Sequence, residues 1–378
     1  MIEFKNIRKV YSQNQVAVDN VNLKFEDDEF ICFIGTSGSG KTTCMRMINR
    51  MNEPTEGEIL INGKNIIDMD PVKLRRKIGY VIQQIGLLPH MTIYENIAIV
   101  PRLLDWNEEK IKKTAESLID RVDLPRDYLE KYPSELSGGQ QQRVGVIRAL
   151  AADQDIILMD EPFGALDPIT RDSLQKLVKK LQKEMGKTIV FVSHDMDEAL
   201  ALADRIVIMD KGKVIQFDSP ENILKNPKND YVRNLIGEDK INEAKTAYQS
   251  VDTIMIKDPV YISEDKSAYE AISLMKERRV DILYLLDKNK VLKGAVGIYD
   301  LGKGGRNVKD LREIMTRPYY IKKDAKIMDA INQILELDIK NLAVVDDDHH
   351  LLGIVTRASV VDIIYNNLWG DSLVGDDD

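Results

Sequence analysis

Unbroken apolar runs, rather than alternating ones, mark the N-terminal part of this chain, and each run predicts a strand buried on both faces. Phe30-Ile31-Cys32-Phe33-Ile34 is the first; it stops at Gly35, and Thr42 to Ile48 beyond the following glycines reads as a helix. Ile156-Ile157-Leu158-Met159 ends at Asp160-Glu161, and Val190-Phe191-Val192 ends at Ser193-His194. Each run therefore delivers polar groups from the C-terminal end of a strand, where ligands collect in parallel α/β sheets. Between the first two runs the pattern turns helical, over Thr92 to Ala98 and over Glu108 to Val122. In the longer segment Ile111, Ala115, Leu118, Ile119 and Val122 fall at three- and four-residue spacing, which gives one buried face. The apolar loop Ile85 to Met91 precedes them and is expected to be half exposed.

The pattern changes near Gly237. The polar stretch Gly237 to Glu243 reads as a linker or short linking helix, and an internal repeat follows. Ile254-Met255 through Pro259, a helix Ala268 to Arg278 and a strand Ile282 to Leu286 lead to Gly294-Ala295-Val296. Ile314-Met315 through Pro318, a helix Ile327 to Leu337 and a strand Leu342 to Val345 lead to Gly353-Ile354-Val355, about 60 residues later.

The breaks carry the chemistry. Gly35-Thr36-Ser37-Gly38-Ser39-Gly40-Lys41-Thr42 matches the phosphate-binding loop G-x-x-x-x-G-K-[ST], whose glycines let consecutive backbone N–H groups close around phosphate oxygens. The helix that follows points its positive end at the anion. Asp160 is placed to hold Mg2+ through its water shell, and Glu161 to orient or deprotonate the attacking water.

With these residues in this order the chain resembles the ATP-binding subunits of ABC transporters over roughly residues 1–235. Leu136-Ser137-Gly138-Gly139-Gln140 is that family's signature, and a GG pair opening a helix from Gln140 to Ala152 leaves N–H groups without an anion in the same protomer. The resemblance implies that the missing anion is the γ-phosphate held by a partner subunit, so that two sites form between head-to-tail copies. It also implies roles for further residues. Tyr11 stacks on adenine with Val18 nearby; Thr42 and Asp160 hold Mg2+, joined by Gln83, with Gln84 beside it as an alternative; Lys41 reaches the β- and γ-phosphates. Thr43 completes the ATP-binding set, Asp167 in Ala165-Leu166-Asp167 lies on the loop that crosses the dimer, and His194 contacts the γ-phosphate. The loop Ile85 to Met91 is then the groove that receives a short helix of the membrane subunit.

Composition bounds the rest. The chain has 378 residues, enough for two or three domains, and 43% hydrophobic residues, enough for real cores. No apolar stretch approaches the roughly 20 residues needed to span a bilayer, and Met1-Ile2-Glu3-Phe4-Lys5 lacks a signal-peptide pattern. The expectation is a peripheral protein on the cytoplasmic face of the membrane, with the transport path in other polypeptides. Net charge is −9, which argues against broad nucleic-acid binding. Cys32 and Cys44 read as reduced core residues, and His90, His349 and His350 show no metal-ligand spacing.

The repeat resembles a tandem pair of CBS modules, which often bind adenosine compounds between their two copies. The family's ribose pattern is incomplete: Gly297 and Asp300 stand in the first copy, Thr356 and Ser359 in the second. Together with Thr43 to Arg50, Glu53-Pro54-Thr55 and Val81 to Thr92, the CBS pair makes the chain similar to ATP-binding subunits of importers for glycine betaine, carnitine and choline. That resemblance implies a homodimer, transmembrane permease subunits and an extracellular substrate-binding protein or domain. It also implies cyclic di-AMP as an effector at the CBS interface, with Val260, Val280, Ile282, Ile354, Thr356 and Arg357 as candidates. Ionic-strength sensing and simple dimerisation are the alternatives for this domain, and a soluble ABC-type ATPase or a nucleotide sensor with vestigial hydrolysis are those for the whole chain.

The expected architecture is α/β: a P-loop ABC ATPase domain with a helical subdomain, followed by an α+β tandem CBS domain. The boundaries are 1–236 for the ATPase, 237–250 for the linker, 251–370 for the CBS pair (repeats about 251–305 and 309–366) and 371–378 for an acidic tail.

Overall fold

Six strands form the central sheet of the N-terminal unit, in the order Lys213–Asp218, Arg205–Asp210, Phe30–Ile34, Thr188–Val192, Ile156–Asp160, Ile78–Val81. All neighbours are parallel except the Lys213–Asp218 edge, which is antiparallel. The computed structural model describes residues 1–361 apart from 13–14, 83–85, 165 and 305–307, and the chain divides into two units, Met1–Gly237 and the residues from Glu238 onward. The acidic tail lies outside the described residues.

The three apolar runs occupy the middle of this sheet. Every residue of Phe30–Ile34, Ile156–Asp160 and Thr188–Val192 is buried, as expected for parallel strands covered on both faces. Phe33 and Asp160 both pair with Val192, so the three strands end side by side and the loops after them leave from one edge. A second, antiparallel sheet of Val16–Phe25, Ile2–Val10, Glu56–Ile61 and Lys64–Asn65 shares a core with the first. Phe25 sits at its centre, with ring centroids 5.7 Å from Phe4, 5.9 Å from Phe33 and 5.7 Å from Phe217.

The helical subdomain starts from capped helices. Thr92 and Glu95 form a reciprocal capping box for Ile93–Leu103, and the Asn107 side chain caps Glu108–Arg121, whose Ile111, Ala115, Leu118 and Ile119 are buried. The loop before them is half exposed at Leu87 and exposed at Leu88, and it is tied down by the buried Asn96 amide. That amide accepts from Leu88 N–H and donates to the carbonyls of Leu88, Met91 and Thr92. The signature helix runs Gly138–Leu150, starting two residues before Gln140, because Ser137 supplies the cap and both glycines are drawn into the first turn.

The second unit opens with a helix, Glu238–Ala247, and then holds the two repeats. The first contributes Tyr261–Ser263, Ile282–Leu286 and Leu292–Gly297 as a three-stranded sheet under the Ala268–Arg278 helix. The second contributes Tyr320–Lys322, Asn341–Val345 and Leu351–Thr356, with the Ile327–Glu336 helix. Their leading segments are exchanged. Ile256–Lys257, ahead of the first repeat, pairs with Ile354 and Gly353 of the second, and Thr316, ahead of the second, bridges to Ala295 of the first. The exchange also seats two methionines on two glycines: a Cβ at Gly294 would lie 2.8 Å from Met315 Sδ, and one at Gly353 would lie 2.8 Å from Met255 Sδ.

Removing the Phe25 ring empties the junction of the two sheets. Phe25→Ala should lower the unfolding free energy of the first unit by about 3–5 kcal/mol, measured by urea titration of the full chain, with the m-value unchanged. A loss below about 1 kcal/mol would mean that the junction is not a packed core.

Candidate functional site

The phosphate loop is the tight link between the strand Phe30–Ile34 and the helix Lys41–Ile48. Glycine is required at both of its ends. Gly35 has φ +151° and a Cβ there would lie 2.2 Å from the Met209 carbonyl; Gly40 has φ +102° and its Cβ would lie 2.6 Å from the Ala17 carbonyl. Thr36, Ser37 and Gly38 face solvent, Ser39 is buried, and Thr42 and Thr43 are half-buried in the first helical turn. The buried Lys41 ammonium donates to Gly35 O at 2.7 Å and Thr36 O at 3.0 Å, curling back over its own loop. Burial pulls its pKa below the ordinary lysine value, with Glu161 and Asp160 among the groups that offset this.

Asp160 sits at the end of its strand beside that helix. Thr42 Oγ1 donates to Asp160 Oδ1 at 3.1 Å, and Arg46 Nη2 lies 3.2 Å from Oδ2. The Tyr80 hydroxyl, 3.5 Å away, closes the other side of Oδ2. Arg46 is a contact the sequence reading missed; its signal was the spacing from Thr42, four residues and one helical turn along the same face. A hydroxyl and a carboxylate 3.1 Å apart form an all-oxygen donor set, which suits Mg2+. Gln83, the third expected ligand, lies outside the described residues, as does Gln84.

Glu161 follows in the left-handed region at φ +45°, held there by its own N–H, which donates to Val192 O at 3.0 Å. Its carboxylate lies 3.3 Å from His194 Nδ1, so the turns after two adjacent strands meet. Beside them the buried Ser193 hydroxyl donates to Glu198 at 2.6 Å, and burial raises the Glu198 pKa. Thus the fold gathers Lys41, Thr42, Asp160, Glu161 and His194 along one sheet edge.

The signature residues form a separate, outward-facing feature. Gln140 Oε1 accepts from Ser137 N–H at 2.9 Å, and Gln140 N–H donates to Ser137 Oγ at 3.4 Å, a reciprocal capping box. Gly138 has open space where a Cβ would stand, whereas a Cβ on Gly139 would meet Thr170 Cγ2 at 2.6 Å. Asp167 caps the neighbouring helix through Thr170 N–H at 3.1 Å, so the signature and the Asp167 loop lie against each other. Sequence reasoning also missed the buried Gln142, whose side-chain amide donates to Pro162 O at 2.6 Å and ties the signature helix to the turn after Glu161. Tyr11 is 39% exposed with Lys9 Nζ 5.1 Å from its ring centre, and Val18 is wholly buried.

In the second unit Val260 and Val280 pack against the core of the first repeat, and Ile282 opens its central strand opposite Gly297. Ile354 and Thr356 lie on the last strand of the second repeat. Arg357 donates to the carbonyl of Ile339 at 2.9 Å and forms an ion pair with Asp338. Lys340 joins the two sets: its ammonium is 2.7 Å from Asp281, and its carbonyl accepts from Arg357 N–H at 3.0 Å. The incomplete ribose patterns are internally satisfied, Asp300 accepting from Gly297 N–H at 2.9 Å and Thr356 Oγ1 lying 3.1 Å from Ser359 Oγ.

Known proteins share these features. The ABC transporter family profile matches residues 18–164, and the CBS domain profile matches residues 251–303 and 308–366. The carnitine transport ATP-binding protein OpuCA of Listeria monocytogenes is 55% identical over 98% of this chain and 94% of its own length. The glycine betaine/carnitine/choline transport ATP-binding protein OpuCA of Bacillus subtilis is 52% identical over 98% of both chains. Among solved structures, the dimeric post-hydrolysis state of the ATP-binding cassette MJ0796 bound to ADP and Pi is 38% identical, with a TM-score of 0.53 over 58% of this chain and 99% of that one. A P-loop edge, a capped signature helix and a tandem CBS unit thus occur together in one chain, and it belongs to the ATP-binding protein family of ABC transporters, with paired CBS domains, alongside the carnitine and choline transport ATP-binding proteins.

Proposed function

We propose that this chain is the ATP-hydrolysing subunit that powers import of a quaternary amine osmoprotectant, glycine betaine, carnitine or choline, through a separate membrane permease. The observation that carries the hydrolytic part is the Glu161–His194 contact of 3.3 Å on the same sheet edge as the Lys41 loop and Asp160. The solute class rests on the relatives, whose names include carnitine, choline and glycine betaine transport. Bound Mg-ATP supplies an electrophilic γ-phosphorus and a metal that neutralises charge on the leaving phosphate. Lys41, here bonded to its own loop carbonyls, would turn to the phosphate oxygens, and Thr42 and Asp160 would hold the metal. Glu161 takes the proton of the attacking water, and His194 holds Glu161 and the γ-phosphate in register. The first-turn N–H groups of Gly138 and Gly139, with the Ser137 side chain beside them, meet the nucleotide of a second copy, which makes the working form a homodimer.

The exposed loop around Leu88 is the docking groove for the permease on the cytoplasmic face, and an extracellular substrate-binding protein or domain delivers the solute. No nucleic acid takes part. For the CBS unit the proposed effector is cyclic di-AMP, a two-fold ligand that suits two like half-sites, with Arg357 turning from Asp338 to a phosphate. Such an effector lowers transport only by binding the inhibited arrangement more tightly than the active one.

Glu161→Gln should keep ATP binding while turnover falls by about 10²–10⁴-fold, and light scattering should show an ATP-dependent dimer that persists. In vesicles carrying the permease, wild-type chain should drive uptake of labelled carnitine that choline or betaine competes away, and the Gln variant should not. Wild-type turnover in the variant, or uptake indifferent to all three solutes, would sink the reading.

Asp160→Asn keeps the shape and removes the charge. Metal-free nucleotide binding should change little, while the Mg2+ concentration for half-maximal hydrolysis rises by about 10–100-fold. An unchanged Mg2+ titration would remove Asp160 from the metal site.

Calorimetry on full-length Lys41→Ala protein, in which the first unit no longer masks the signal, should show cyclic di-AMP binding ahead of ATP and AMP, weakened by Arg357→Ala. Tighter binding of ATP would leave the CBS pair as an ionic-strength sensor or a dimerisation device.

A further inference from the structure

The phosphate loop has a hydrogen-bond partner far along the chain that no motif accounts for. Tyr231, half-buried in the first turn of the Asp230–Ile236 helix, places its hydroxyl between two backbone groups. It accepts from Thr36 N–H at 3.3 Å and donates to Met209 O at 3.0 Å. Both groups matter to the loop's shape. Thr36 is the second loop residue and its carbonyl accepts from Lys41 Nζ, while Met209 O is the group that a Cβ at Gly35 would strike. One hydroxyl therefore spans the start of the loop and the strand that backs it.

The helix that carries Tyr231 is the last element of the ATPase unit. Asn229 caps it through Val232 N–H at 3.1 Å, Gly237 ends it at φ +93°, and the regulatory unit begins at the next residue. We propose that Tyr231 is a positioning residue for the phosphate loop, and that its hydroxyl couples nucleotide occupancy to the helix leading into the CBS unit. The phenol holds the N–H of Thr36 out of the ring of donors left for phosphate and keeps the loop entrance seated on Met209. Coupling of this kind is reciprocal: if the helix steadies the loop, nucleotide in the loop steadies the helix. The proposal rests on the loop being the nucleotide site.

The test uses the full chain and a non-hydrolysable ATP analogue with Mg2+. In wild type the analogue should slow hydrogen exchange of the amides from Val232 to Gly237, a measurement that needs no variant. Tyr231→Phe retains the ring and its packing; it should weaken analogue binding by about threefold to tenfold, the range for one neutral hydrogen bond. It should also leave kcat within about twofold and abolish the nucleotide-dependent protection of residues 232–237. A purely structural tyrosine would change thermal stability and leave the affinity and the protection pattern alone. Unchanged affinity in Tyr231→Phe, or no nucleotide-dependent protection of 232–237 in wild type, overturns the proposal. Failure of wild-type protein to bind the analogue at all would instead overturn the assignment of the loop.

Discussion

Hydrogen-bonded register between three fully buried strands is the constraint from which the rest of the ATPase unit follows. Phe30–Ile34, Thr188–Val192 and Ile156–Asp160 are buried on both faces, so sliding one past another would draw the polar residues at its ends into the core. Pairing fixes Phe33 and Asp160 opposite Val192, and this sets where the chain leaves the sheet. Lys41, Asp160, Glu161 and His194 belong to segments more than 100 residues apart at the extremes, yet they need no further device to find one another. The hydrophobic effect does the positioning, and the polar residues inherit it.

Charge is the counterweight. Asp160 is buried, and such a carboxylate is tolerated because Thr42, Arg46 and Tyr80 surround it. Lys41 is buried too and satisfies its ammonium on loop carbonyls. The cluster is thus electrostatically closed on itself, each buried charge already met by neighbouring groups.

Much of this was legible in the sequence because it is local. Glycine spacing and the apolar runs each act within a few residues, and the structure places strands and helices there. The two-residue difference at the signature helix has a local cause as well: glycine is a poor helix former, but Ser137 caps from the position before the pair. What stayed hidden is long-range side-chain chemistry. Arg46 to Asp160, Gln142 to Pro162 and Tyr231 to Thr36 have no period, and a lone Arg, Gln or Tyr carries no pointer to its partner. The repeat was equally partial: similarity at a fixed period says that two like units exist, not which strand completes which sheet.

That last point reaches beyond the folded state. Ile256 pairs with Ile354, and Thr316 bridges back to Ala295, so each repeat borrows its outer strand or bridge from the segment that introduces the other. A ribosome delivers Ile256 roughly 100 residues before its partner, and the first repeat emerges with an unpaired sheet edge and an uncovered Gly294. Its sheet is finished only when Met315 and Thr316 arrive, and the second repeat is closed by a strand that has been waiting since before the first began. Each sheet is thus complete only once the segment that introduces the other repeat is in place, which ties the edges of the two repeats together as the chain folds.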